Sequence, residues 1–203
     1  MEFGRWVYIV LMVLVVLGFV GVYMVFFSGG GSGEEVREAP LYEVVEPISF
    51  EEFIDLAGEY IVGEGLVLKL PTELPEGVMP VAVWFTEPFL AVIAYDSGVV
   101  ESYVNASMYI EVSPLDSFLY SFDEDELMDE FRRFVAEIRL NGREAFVTRV
   151  DGFYVIVAYS DLRSYTAYVY DLDGGFRYVI VARNLSLPND MLNIVASMEP
   201  IER

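Results

Sequence analysis

Residues 143–183 read REAFVTRV-DG-FYVIVAYS-DLR-SYTAYVYD-LDGG-FRYVIVAR. Four runs of strand length, rich in Val, Tyr, Phe and Ile, are separated by connections of two to four residues. Connections this short cannot hold a crossover helix, so neighbouring strands must pair antiparallel. Asp151-Gly152 is a preferred tight hairpin turn, because both of its residues must take positive φ. Phe153–Tyr159 is apolar on both faces, as for a central strand covered on both sides. In Phe176–Arg183 the faces differ. Phe176, Tyr178, Ile180 and Ala182 form a core side, and Arg177, Val179, Val181 and Arg183 a partly wet one. A four-stranded antiparallel meander is therefore the centre from which the rest of the fold is read.

Immediately upstream, Ser121 to Leu140 predicts an amphipathic helix. Ser121 and Glu124 are spaced as a capping box, and Asp123 to Glu126 place negative charge at the positive end of the helix dipole. Leu127, Phe131, Phe134, Val135 and Ile138 fall on one buried stripe. The cap and the dipole account for the acidic cluster without a metal. Further upstream, apolar runs of strand length alternate with turn residues: Leu66–Leu70, Val78–Thr86, Phe89–Tyr95, Val99–Val104 and Ser107–Ser113. A short helix precedes them, with Ser49 and Glu52 as its capping box and Gly58 closing it. A last helix starts near Ser186, has Pro188 in its first turn, and buries Leu187, Met191, Leu192, Val195 and Met198. The expected class is α+β, a curved antiparallel sheet with packed helices.

The N-terminal end reads differently. Trp6 to Phe27 is 22 residues with no charged side chain. As a helix it would be about 33 Å long, against a hydrocarbon core of about 30 Å. A cleavable signal peptide is the competing reading. Its apolar run is usually only about 7–15 residues long, and Ser28-Gly29-Gly30 is a poor cleavage site. An uncleaved transmembrane anchor is favoured. Arg5 precedes the span, while Glu34, Glu35 and Glu38 follow it. The N-terminus is thus expected in the cytoplasm and the C-terminal domain outside the cell membrane. The expected organisation is an anchor over 1–27, a Gly/Ser and acidic linker over 28–47, and an extracytoplasmic domain over 48–203. Two sequons, Asn105-Ala106-Ser107 and Asn184-Leu185-Ser186, are candidate glycosylation sites on that side.

Composition narrows the chemistry. The 203 residues carry 33 acidic and 12 basic side chains, a net charge of −21, yet 55% are hydrophobic. Disorder needs high charge together with low hydrophobicity, and the second is missing. The charge is localised: residues 34–130 hold 23 acidic and two basic side chains, and residues 131–203 hold nine of each. Such a balance argues against nucleic-acid binding, which needs clustered Lys and Arg. Cysteine and histidine are both absent. That excludes a disulfide framework, a thiol nucleophile, a Ser-His-Asp triad and an HExxH zinc site. No Walker A loop, G-x-S-x-G or G-x-G-x-x-G follows a strand, and no cofactor is implied. Asp171-Leu172-Asp173-Gly174 starts like a calcium loop, but Ala182 stands where its closing glutamate belongs, so a hairpin is expected instead. Eleven of the twelve basic residues are Arg, and Gln is absent. This fits an archaeal or thermophilic source, or simply genome composition.

Tyrosines crowd the meander. Core and cross-strand pairing accounts for most of them. Tyr168, Tyr170 and Thr166 share one face, and the functional alternative there is an amphipathic surface for a protein, glycan or lipid ligand.

Several segments carry a resemblance. They are Leu74-Pro75-Glu76-Gly77 before a strand, Ile110-Glu111-Val112-Ser113-Pro114, Asn141-Gly142-Arg143-Glu144-Ala145 opening a hairpin, and the closing run from Leu185 to Met198. Over roughly 70–200 the chain resembles a family of uncharacterised extracytoplasmic domains that follow a single membrane span in bacterial and archaeal proteins. Some members are compared with lipoprotein-carrier and sigma-factor-regulator sensor domains. The helix at 121–140 is an insertion relative to that pattern. A tryptophan frequent in the hairpin is missing, with Tyr168 or Tyr159 nearby. The resemblance implies a non-catalytic, envelope-exposed sensing or binding module. The expected alternatives are an accessory subunit of a larger envelope complex or a carboxylate-dependent envelope hydrolase.

Overall fold

The computed structural model describes residues 45–86, 89–160, 164–185 and 187–201. The expected span Trp6 to Phe27 and most of the linker lie outside them. Among the described residues no helix is long and apolar enough to cross a membrane.

The elements in chain order are α1 (Phe50–Glu64), β1 (Lys69–Pro71), β2 (Met79–Thr86), β3 (Leu90–Asp96), β4 (Met108–Pro114), α2 (Glu124–Leu140), β5 (Glu144–Val150), β6 (Phe153–Tyr159), β7 (Ser164–Asp171), β8 (Phe176–Arg183), α3 (Pro188–Ala196) and β9 (Met198–Pro200). Seven strands form one antiparallel sheet in the order β2-β3-β4-β8-β7-β6-β5. The class is α+β, as the sequence pattern indicates. Two meanders, β2-β3-β4 and β5-β6-β7-β8, join edge to edge where β4 pairs with β8. The expected Asp-Gly turn is present, with Asp151 at φ 45 and Gly152 at φ 90.

One face of the sheet carries the main core. Phe53 and Ala57 of α1 and Met191, Ile194 and Val195 of α3 pack onto Ile93, Ile110, Val155, Ala167, Tyr178 and Ile180. β1 and β9 pair as a separate two-stranded ribbon. On the opposite face, α2 lays Leu127, Phe131, Val135 and Ile138 on Ala145, Tyr154, Ile156 and Ala158. Burying each of these large α2 side chains is worth about 1.5–3 kcal/mol. Beyond α2 on that same face, Trp84 packs under Tyr103, with ring centroids 5.4 Å apart.

Four sequence expectations are corrected. α1 does not close at Gly58. It runs to Glu64, with Gly65 in the left-handed cap (φ 68). A glycine inside a helix costs only about 1 kcal/mol, and Tyr60, its ring tilted against Phe89 with centroids 4.9 Å apart, extends the packed side past it. α2 is capped by Asp123 rather than Ser121: Asp123 and Glu126 form the reciprocal box. Ser121 ends a preceding 3-10 turn and donates its hydroxyl to Phe118 O at 2.6 Å. Val99–Val104 is not a strand; it belongs to the β3–β4 connection, with Val99 98% exposed and a 3-10 turn at Tyr103–Asn105. The buried stripe of α3 is shorter than expected: Leu187 is exposed, and Met198 belongs to β9, which forms because β1 offers it a partner.

Candidate functional site

Among the described residues, the α2 face of the sheet has a gap. α2 reaches across β5 and β6 to β7, where Phe131 stacks 4.6 Å from Tyr170 and Phe134 meets Tyr168 edge-on at 5.1 Å. From the other side, Tyr103 reaches β4 and stops at Tyr109, at 5.4 Å. Between them lies β8. Its side chains on this face, Val179 and Val181, are half-buried and belong to neither hydrophobic cluster.

Register makes the gap a small array. Tyr109, Val181 and Thr166 lie side by side across β4, β8 and β7. Glu111, Val179 and Tyr168 form the next row, and Ser113, Arg177 and Tyr170 the third. Arg177 and Arg183 stand exposed at the two ends of β8. Burial raises the Glu111 carboxyl above the ordinary glutamate range, with Arg177 pulling it partly back. Burial, followed by Glu111 and Tyr103, pushes Tyr109 up to about 12. The surface is thus aromatic and apolar, with one carboxylate whose charge is disfavoured and a guanidinium at each end.

The three residues singled out in the sequence form the β7 column of this array. Their exposure differs. Thr166 is buried and accepts a hydrogen bond from Arg143 Nη2 at 3.0 Å. Tyr170 is half-buried against Phe131, and burial raises its hydroxyl pKa. Tyr168 is half-buried beside Phe134 and faces β8. The partner columns on β4 and β8 were not singled out. Their signal was available in the alternation of Met108–Pro114 and Phe176–Arg183, whose second faces are wetter than their first.

A second polar cluster is structural. The only lysine of the chain, Lys69, places Nζ 2.8 Å from Asp171 Oδ2 and 4.9 Å from the centre of the Phe153 ring. The ammonium meets Oδ2 as an ion pair rather than as an aligned hydrogen bond. Asp171 Oδ1 accepts the Gly174 N–H at 2.9 Å, and Tyr178 Oη accepts the Lys69 N–H at 3.0 Å. Asp171 therefore closes the β7–β8 turn, the hairpin role expected of it, and ties that turn to β1.

The sequon asparagines Asn105 and Asn184 are both exposed, at the Met108 end of the sheet. Comparison of the chain with family models, curated proteins and solved structures finds no match to any of them.

Proposed function

We propose that this is a membrane-anchored extracytoplasmic domain that binds or senses a partner without catalysing a reaction, and that the β4-β8-β7 array is its contact surface. The observation that carries this is the half-buried β8 face: among the described residues Val179 and Val181, flanked by Tyr109 and Tyr168, lie between two packed elements that stop short of each other. Aromatic and aliphatic side chains at such a place favour an apolar or aromatic partner, and Arg177 and Arg183 favour one with negative groups at its ends. The 22-residue uncharged run of Trp6 to Phe27 supports an N-terminal transmembrane helix, with the sheet domain held outside. The lack of His and Cys supports a non-catalytic role.

Two measurements test this. The chain has no cysteine, so Val99→Cys, at a position 98% exposed, is a single reporter of sidedness. Labelling by a membrane-impermeant maleimide in intact cells is expected; protection overturns the topology. Val179→Thr with Val181→Thr keeps the β-branched shape at two half-buried positions and is expected to weaken copurification of the partner from mild detergent, with the cooperative thermal melt retained. Undiminished copurification would move the contact surface elsewhere. A stoichiometric protein on the array would make the chain a subunit of an envelope assembly.

A further inference from the structure

Asn105 and Asn184 are 79 positions apart in sequence, yet their loops touch. The Arg183 N–H donates to Ser107 O at 3.0 Å, and its guanidinium donates to Val104 O. Arg183 immediately precedes one sequon, while Val104 and Ser107 bracket the other asparagine. Both asparagines are exposed. Asn184 has φ 61, a left-handed position that lifts it out of the end of β8.

Ile48 bridges Val83 antiparallel, so residues 45–47 run toward the Thr86 end of β2. The sequons lie toward the other end, where β2 begins at Met79, β3 ends at Asp96 and β4 begins at Met108. We infer that Asn105 and Asn184 are a pair of N-glycosylation sites on one end of the sheet, modified by a membrane oligosaccharyltransferase. This rests on the extracytoplasmic reading above.

The reaction is a group transfer. The asparagine amide nitrogen forms a bond to the anomeric carbon of a sugar carried on a polyprenyl phosphate or diphosphate. The bond from that carbon to the phosphate oxygen breaks, the polyprenyl phosphate species leaves with the bonding pair, and the amide gives up one proton. No electron transfer is involved. The third residue of a sequon must offer its hydroxyl to the transferase. In the folded domain Ser107 Oγ is within 2.9 Å of Asp96 Oδ2, and the Ser107 N–H donates to the same oxygen at 2.7 Å. Transfer at Asn105 therefore belongs before the β3–β4 connection closes on Asp96. Two glycans at adjoining loops would shield this end of the sheet. Arg183 also ends the β8 column, so they would stand beside one end of the contact array.

The test is intact-mass and glycopeptide analysis of the full chain isolated from the membranes of the cell that makes it, with the Val99→Cys reporter measured in parallel. Two glycan mass increments are expected, mapping to Asn105 and Asn184. Asn105→Gln should remove one. Ser186→Ala should remove the other while leaving the left-handed Asn184 backbone in place. An unmodified mass in a chain labelled from outside overturns the inference and leaves the topology standing. An unmodified chain that is not labelled overturns both.

Discussion

Lys69→Met is the most discriminating perturbation of this fold. The Lys69 side chain is 20% exposed, and that of Asp171 only 3%. The two partners are therefore unequal. Removing the lysine strands a buried carboxylate oxygen that water cannot reach, and breaking a buried pair from this side costs about 3–5 kcal/mol. Asp171→Asn keeps an oxygen for the Gly174 N–H and leaves an ammonium that can turn toward solvent. Its expected cost is about 1–2 kcal/mol. For a domain of this size each kcal/mol shifts Tm by about 2–4 °C, so Lys69→Met should lower Tm by roughly 6–20 °C. The double variant should cost about 1–3 kcal/mol less than the sum of the singles, because the methionine no longer faces a charge. Thermal and denaturant unfolding followed by circular dichroism give all three values. If Lys69→Met costs no more than Asp171→Asn, burial is not what makes this pair matter, and the latch between β1 and the β7–β8 turn is misread.

Other outcomes follow from the same contacts. Gly174→Ala would put a Cβ 2.7 Å from Val67 O and against the Asp171 carboxylate, so a loss of about 2–3 kcal/mol is expected in denaturant melts. Because burial raises the Glu111 pKa in the fold, its contribution is fully present below the ordinary glutamate value and is lost as pH rises through the raised one. Glu111→Gln should thus match wild type below about pH 4 and become the more stable protein toward pH 7, as read from Tm across pH. Asp96 behaves oppositely. The Ser107 N–H, above all, with the Ser107 hydroxyl and Ser97 N–H, holds its carboxyl below the ordinary range. Asp96→Asn should lower Tm slightly at neutral pH, solvent screening keeping the effect small, and the deficit should vanish in acid as the wild-type carboxylate takes up its proton.

The sheet was legible because its signals are local. The alternation of Phe176–Arg183 and the Asp151-Gly152 turn need only neighbouring residues to be read, and both appear in the structure as the pattern implies. Where a helix begins or ends was less legible, because competing local partners decide it. Ser121 gives its hydroxyl to Phe118 O, which leaves the cap to Asp123. Val99–Val104 has strand composition, but β4 pairs with β3 on one side and β8 on the other, so no edge remains beside β4 for a further strand.

The candidate surface divides in the same way. That Thr166, Tyr168 and Tyr170 share a face follows from the two-residue period of a strand alone. That Thr166 is buried, and that the open ground lies on β8, depends on how far α2 reaches. Sequence by itself determined the antiparallel meander, the α+β class, the uncharged 22-residue run and the absence of thiol and imidazole chemistry. Only the tertiary structure decided that β8 lies in the middle of the sheet with one face half-buried among the described residues, that the lone lysine meets a buried aspartate, and that two distant sequons share one end. Each of these joins residues far apart along the chain, and a local pattern carries no information about which distant segment will pack against it.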